Sequence, residues 1–76
     1  MYFAVLLTLF ASGEIRSFYD ESFQNLEQCE RYLLDITRKE PDVWEIKIYD
    51  LYPVLEAKKN SVGIKNQYRC EYVPSE

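Results

Sequence analysis

The stretch MYFAVLLTLF (residues 1–10) decides the fold of this chain, because every side chain in it except that of Thr8 is apolar or aromatic. A membrane helix needs about 20 apolar residues, and this run breaks off at Ser12. A secretion signal carries positive charge ahead of its apolar stretch, whereas the first basic residue here is Arg16. The pattern therefore predicts a buried strand over residues 2–10 that stays in the mature protein.

A tight hairpin is predicted directly after this strand. Ser12 and Gly13 form its two-residue loop, because glycine readily adopts the left-handed backbone of such turns. A returning strand follows over residues 14–19. The predicted cross-strand pairs are Phe10 with Ile15, Thr8 with Ser17, Leu6 with Tyr19 and Leu7 with Phe18. A first strand that is apolar on both faces is typical of a central strand covered on both sides.

The clearest helix signal begins at Asn25, whose side chain can cap the first turn while Gln28 reaches back toward it. Apolar residues then recur at helical spacing and predict one packing stripe. The stripe consists of Leu26, Cys29, Leu33 and Ile36, with Tyr32 beside them. Pro41 ends the helix.

The last part of the chain changes period. Alternation from Val43 to Tyr52 predicts a third, half-buried strand. For Pro53 to Asn66 we favour one helical turn through Leu55 and Lys58 followed by a loop, and a plain loop is the alternative. Residues 67–73 alternate again and predict a final strand that Pro74 stops.

These elements predict a single α+β domain over residues 1–76. A chain of 76 residues is too short for a second core, and its 47% apolar content is high enough for one compact core. The expected architecture is a small antiparallel sheet with one main helix packed on it. The expected order is β-β-α-β-β, with a possible extra turn before the last strand.

Most familiar catalytic chemistry is excluded by composition. The sequence contains no histidine, the commonest general base and a common zinc ligand. Gly13 and Gly63 are isolated and form no phosphate-binding fingerprint. Two cysteines cannot by themselves complete a structural zinc site. We therefore expect no enzyme activity, no cofactor and no metal.

Two carboxylate pairs keep a small hydrolase open as a third hypothesis. Asp20 with Glu21, or Glu40 with Asp42, could act as an acid and base pair, but such a site needs a substrate cleft for which the chain has little material. Turn and cap roles are the favoured interpretation.

The charge pattern disfavours nucleic acid as a partner. The net charge is −4, from 13 acidic and 9 basic residues, and the two signs are interspersed. The densest basic stretch contains Lys58, Lys59 and later Lys65, which is typical of a solvated face and lacks the clustering of a phosphate-binding footprint. No membrane association is expected either.

Cys29 and Cys70 both project from apolar faces and are expected to meet in the core. Three interpretations stay open: two reduced thiols packed as small hydrophobes, a disulfide closing a long loop, or a reactive thiol. The choice bears on compartment. Reduced thiols fit the cytoplasm, and a disulfide fits an extracytoplasmic setting.

A partner surface is predicted where the third strand ends. Tyr49, Leu51 and Tyr52 lie together there, and we add Trp44 from the same strand, because aromatic residues are enriched at binding hot spots. The expected partner is another protein, or a second copy in a homodimer. A structural or assembly subunit is the alternative function.

The layout resembles small uncharacterised proteins of bacteriophage genomes. The resemblance is carried by the apolar hairpin, by Phe23 ahead of the helix segment Leu26-Glu27-Gln28-Cys29-Glu30, and by Tyr68-Arg69-Cys70 near the end. It implies a role in inhibiting or redirecting a host protein, or a minor place in a virion. It implies no site residue.

Overall fold

A computed structural model describes residues 1–59 and 63–74 of the chain. Its elements are β1 (Tyr2–Phe10), β2 (Ile15–Phe23), α1 (Leu26–Lys39), β3 (Trp44–Tyr49), β4 (Tyr52–Ala57) and β5 (Ile64–Tyr72). The strands form one antiparallel sheet in the order β2-β1-β5-β4-β3. The α+β class and the predicted sequence of elements are confirmed, and the structure adds β4 between the last two predicted strands.

The hairpin between β1 and β2 has a three-residue loop, so the predicted register is wrong by one residue. The Phe10 N–H donates to the Glu14 carbonyl and the Gly13 N–H donates to the Phe10 carbonyl, both at 2.9 Å. Ala11 therefore joins the loop, and Gly13 closes it with a φ of 89°. The observed pairs are Leu9 with Ile15, Thr8 with Arg16, Leu7 with Ser17, Leu6 with Phe18 and Val5 with Tyr19.

Helix α1 begins and ends where the sequence predicts. The Asn25 side chain accepts a hydrogen bond from the Gln28 N–H at 2.9 Å, which satisfies a free donor of the first turn. The Glu40 N–H donates to the Ile36 carbonyl at 3.0 Å just before Pro41. Cys29 and Leu33 are its buried residues, which confirms the packing stripe.

The segment after β3 forms a strand, so the predicted helical turn there is wrong. Residues 50 and 51 reverse the chain at once, and β4 pairs back along β3 from Tyr49 with Tyr52 to Trp44 with Ala57. Pro53 suggested the start of a helix because proline fits the first helical position. In the structure it lies in β4 opposite Ile48, outside the short ladder to β5, where a missing N–H is tolerated. Residues 60–62 of the predicted turn and loop lie outside the described residues.

The core lies between α1 and one face of the sheet. Its buried residues are Ala4, Cys29, Leu33, Trp44 and Leu55. Val5 and Val54 are also buried, but strand alternation puts them on the opposite face, which we call the open face because α1 does not pack against it. Leu9, which also points to the open face, is 39% exposed. The expectation that β1 is covered on both sides holds only for part of its length.

Candidate functional site

The turn between β3 and β4 has an unusual backbone for its residues. We call residues 49–52 the hairpin tip. Asp50 and Leu51, its two loop residues, have φ values of 48° and 70°, as a type I′ turn requires. Glycine, asparagine and aspartate tolerate this region, whereas a residue such as leucine loses about 1–2 kcal/mol there because Cβ crowds the backbone. Leu51 is therefore conformationally strained.

The side chain of Leu51 gains nothing from burial to offset that strain. It is 92% exposed, so the fold removes almost none of its apolar surface from water. The tyrosines that flank the loop pair across the strands, so their rings lie on the same face of the sheet. Both are about half exposed. The tip thus presents one leucine and two aromatic rings to solvent.

Tyr49 is held in place by a polar network on the open face. Its hydroxyl donates to Glu56 Oε1 at 2.7 Å, and Lys47 Nζ lies 3.1 Å from Glu56 Oε2. The hydrogen bond from Tyr49, followed by that from Lys47, lowers the pKa of Glu56. The same bond to Glu56 raises the pKa of Tyr49. The hydrogen bond to Glu56 therefore holds the Tyr49 ring in one orientation.

Trp44 does not belong to this surface. It lies at the opposite end of β3, is only 9% exposed and packs against Tyr68 with ring centroids 5.2 Å apart. Its indole N–H donates to Glu40 Oε2 at 3.1 Å. The structure therefore brings together three of the four predicted contact residues and places the fourth in the core. Glu40 has a structural partner, as its predicted cap role implies.

Asp20 also has structural partners. Its Oδ2 accepts hydrogen bonds from the hydroxyls of Tyr32, at 2.7 Å, and Tyr68, at 3.3 Å. Burial and then the neighbouring Asp20 carboxylate raise the pKa of both tyrosines. Sequence reasoning missed this cluster, because it requires the observed β2 register, in which Asp20 alternates with Arg16 and Phe18 on the helix side of the sheet. The cluster ties an outer strand to α1 and β5.

The two cysteines are joined. A disulfide connects Cys29 of α1 to Cys70 of β5, with the Cα atoms 6.1 Å apart. Of the three open interpretations, the structure has the disulfide. A depression of about 300 Å³ lies beside it and reaches the hairpin tip, lined in part by Leu26, Pro53 and Arg69.

A larger cleft of about 450 Å³ crosses the open face. One wall is apolar, with Leu7, Leu9 and Ile15, and the other is polar, with Glu56 and Gln67. Most polar groups in it already bind each other, as Gln67 and Glu56 do at 3.4 Å. The cleft therefore offers few free hydrogen-bonding groups for a small ligand.

Within residues 1–59 and 63–74, no group of three or more acidic or cysteine side chains is placed to hold a metal ion. In the same part of the chain, no helix has the length and apolar character to cross a membrane.

Comparison with protein-family models, with curated proteins and with solved structures finds no match to this chain. The feature that departs furthest from what folding alone favours is Leu51, which is strained and exposed at once.

Proposed function

We propose that this protein is a non-enzymatic protein-binding module that contacts its partner through the hairpin tip. The observation that carries the proposal is Leu51, a leucine with a left-handed backbone and a 92% exposed side chain. Strained residues that the surrounding structure maintains cluster at binding and active sites. Tyr49 and Tyr52 supply large, stiff contact surfaces beside it, which bind at a low entropic cost.

A partner would bury the Leu51 side chain, which the fold leaves exposed. Moving a leucine side chain fully out of water contributes about 1.5–3 kcal/mol, which exceeds the roughly 1–2 kcal/mol lost to its backbone conformation. The matching surface on the partner is an apolar pocket for Leu51, bordered by polar groups that can meet the tyrosine hydroxyls.

The setting of this interaction is part of the proposal. The resemblance to bacteriophage proteins supports a host protein as the partner, inhibited or redirected by binding. The disulfide between Cys29 and Cys70 supports an extracytoplasmic compartment over the cytoplasm, because structural disulfides persist under oxidising conditions.

The test compares two glycine substitutions in the same loop. Leu51→Gly removes both the strain and the side chain, so it should stabilise the fold and weaken partner capture by at least about 10-fold. Asp50→Gly frees the neighbouring position and keeps Leu51, so it should capture the partner as well as the unmodified chain does. Each purified protein is immobilised on a resin and incubated with an extract of the source cells. The proteins that it retains are then quantified by mass spectrometry.

Two results would overturn the proposal. One is that the unmodified protein recovers no partner above an unrelated acidic control. The other is that Leu51→Gly recovers the partner undiminished. A double Tyr49→Ala, Tyr52→Ala variant then measures how much of the binding the aromatic rings contribute.

A structural or assembly subunit remains the second candidate function. The observation in its favour is the outer edge of β2, which pairs with no other described strand beyond β1 and where eight of nine residues are exposed.

A further inference from the structure

Strand β2 is an outer strand that presents apolar side chains to solvent. It lies at one end of the sheet order and pairs only with β1 among the described elements. Ile15, Phe18 and Tyr19 are 62%, 56% and 58% exposed. Exposed apolar residues on a long outer strand make a template for pairing with another chain.

The unpaired backbone groups of β2 can be assigned from the hairpin. The Phe10 N–H donates to the Glu14 carbonyl, so in an antiparallel ladder every second residue after Glu14 also bonds to β1. Ile15, Ser17 and Tyr19 are the alternate residues, and their N–H and C=O groups point away from β1. Among the described residues, these groups form a regular, unpaired edge five residues long.

Several of the usual protections of an outer strand are missing along residues 15–19, where Arg16 is the one charged side chain. Residues 15–19 contain no proline and no glycine, and α1 packs over the core rather than beyond β2. The register shift that involves Asp20 interrupts the strand only after Tyr19. The other outer strand, β3, is shorter, with six residues against nine, and begins with the buried Trp44.

The side chains of β2 suit a second copy of the same strand. A two-fold axis requires the surface to complement itself. With Phe18 opposite the same residue of the second copy, Arg16 lies opposite Asp20 twice, and Ser17 lies opposite Tyr19. Centring the axis on Arg16 would oppose two like charges, and centring it on Ser17 would oppose Glu14 and Asp20. Of these three registers, only the one centred on Phe18 pairs opposite charges.

Both charged groups are available for that pairing. Among the described residues, Arg16 forms one ion pair, with its neighbour Glu14 at 3.1 Å, and its guanidinium lies 5.5 Å from the centre of the Phe10 ring, while its side chain stays 62% exposed. Asp20 binds the two tyrosines through Oδ2, and its second oxygen has no hydrogen bond to the described residues. A pair of cross-strand ion pairs would thus flank a central aromatic pair.

We propose that two copies of this chain pair antiparallel through β2, centred on Phe18, to form a continuous ten-stranded sheet. The hairpin tips then lie at opposite ends of that sheet and stay free. The assembly is therefore compatible with the partner surface described above and does not depend on it.

Oligomeric mass and one matched pair of variants test this proposal. At tens to hundreds of micromolar, sedimentation equilibrium should give twice the monomer mass of 9.1 kDa. Phe18→Lys places two ammonium groups at the axis and should weaken association by at least about 10-fold. Ile48→Lys is the control: Ile48 is 62% exposed, against 56% for Phe18, and lies on the opposite outer strand, so its substitution should leave the dimer intact.

A second measurement identifies the register. Phe18→Cys should form a disulfide-linked dimer faster than Ser17→Cys, because the two Phe18 positions face each other as a close pair without backbone hydrogen bonds. Non-reducing electrophoresis reports the linked species. A monomer at all concentrations would overturn the proposal, as would loss of the dimer in Ile48→Lys but not in Phe18→Lys. Faster linkage through Ser17→Cys would overturn the proposed register.

Discussion

The two hairpin loops of this protein both need a residue with a left-handed backbone conformation, and they use very different residue types there. The β1–β2 loop places Gly13 at a φ of 89°, where a Cβ would meet nothing within 4 Å and only the backbone preference matters. The β3–β4 loop places Leu51 at a φ of 70°. The first choice favours folding and the second opposes it. A turn that opposes folding points to a role for its side chain outside the fold.

The two hairpins also differ in how they join the sheet. β1 pairs with β5 at every position from Tyr2 with Tyr72 to Phe10 with Ile64. β4 pairs with β5 only through Leu55 with Tyr68 and Glu56 with Gln67. The β3–β4 hairpin is therefore joined to the rest of the sheet by a much shorter ladder than β1 is.

Among the changes considered, removing the disulfide should have the largest effect on stability. A double Cys29→Ala, Cys70→Ala variant should lose about 3–4 kcal/mol of unfolding free energy, because the bond closes a long loop of the unfolded chain. Urea unfolding measures the loss. Hydrogen exchange should show β3 and β4 opening before β1 and β5, and the reverse order would contradict the weaker attachment of the β3–β4 hairpin.

Gly63→Ala should have the next largest effect, about 2–3 kcal/mol of destabilisation. Its φ is 77°, and an added Cβ would come within 2.8 Å of the Ala11 Cβ in the β1–β2 loop. Gly13→Ala is the control, since it has the same backbone handicap and no clash, and should lose about 1 kcal/mol. Equal losses of stability in the two variants, measured by thermal unfolding, would show that Gly63 and Ala11 are not in close contact.

Leu51→Gly should raise the unfolding free energy by about 1 kcal/mol, because glycine populates the left-handed region freely. Asp50→Gly should raise it less, since aspartate tolerates that region better than leucine. Both are measured by urea unfolding with the disulfide intact. A destabilised Leu51→Gly protein would mean that the leucine contributes packing, and the contrast between the hairpins would disappear.

The smallest effect concerns the tie between β2 and α1. The pKa of Tyr32 is raised by burial and by Asp20, so its stabilising contribution is fully present below the ordinary tyrosine pKa of about 10 and is lost as pH rises through the folded-state value. Tyr32→Phe should lower stability at neutral pH by about 0.5–1.5 kcal/mol through the lost hydrogen bond and should flatten the alkaline decline. Stability is followed by urea unfolding across the alkaline range.

Tyr52→Phe in the other hairpin is the control for that experiment, because no hydrogen bond of its hydroxyl is present among the described residues. Its unfolding free energy should match that of the unmodified chain at neutral pH. An unchanged alkaline decline in Tyr32→Phe would contradict the assigned role of Asp20.

The helix was predictable because its signals are local in the sequence. The strand register and the number of strands depend on contacts between distant residues, so the sequence predicted them less well. Asn25 and the stripe through Cys29 and Leu33 act within one turn of the helix, so the sequence suffices for them. The β1–β2 register turned on whether Ala11 belongs to the loop. β4 was missed because Leu51 carries no turn signal and Pro53 resembles a helix start.

The proposed contact surface was predictable to the same degree. Alternation along β3 gives the face on which Tyr49 lies, and proximity in sequence brings Leu51 and Tyr52 beside it. Alternation does not show how deeply a residue is buried, however, so the burial of Trp44 under α1 could be seen only in the tertiary structure. The hydrogen bonds from Tyr32 and Tyr68 to Asp20 could likewise be seen only in the tertiary structure, because they join residues far apart in the chain.

The neighbouring positions of Met1 and Val73 have a mechanical consequence. Their backbones exchange hydrogen bonds of 2.8 and 3.1 Å, so tension applied between them would peel β1 from β5 one pair at a time instead of shearing the whole ladder. The covalent link from Cys29 to Cys70 then shortens the path between the pulled ends. The fully drawn oxidised chain should reach about 110 Å, against about 250 Å after reduction.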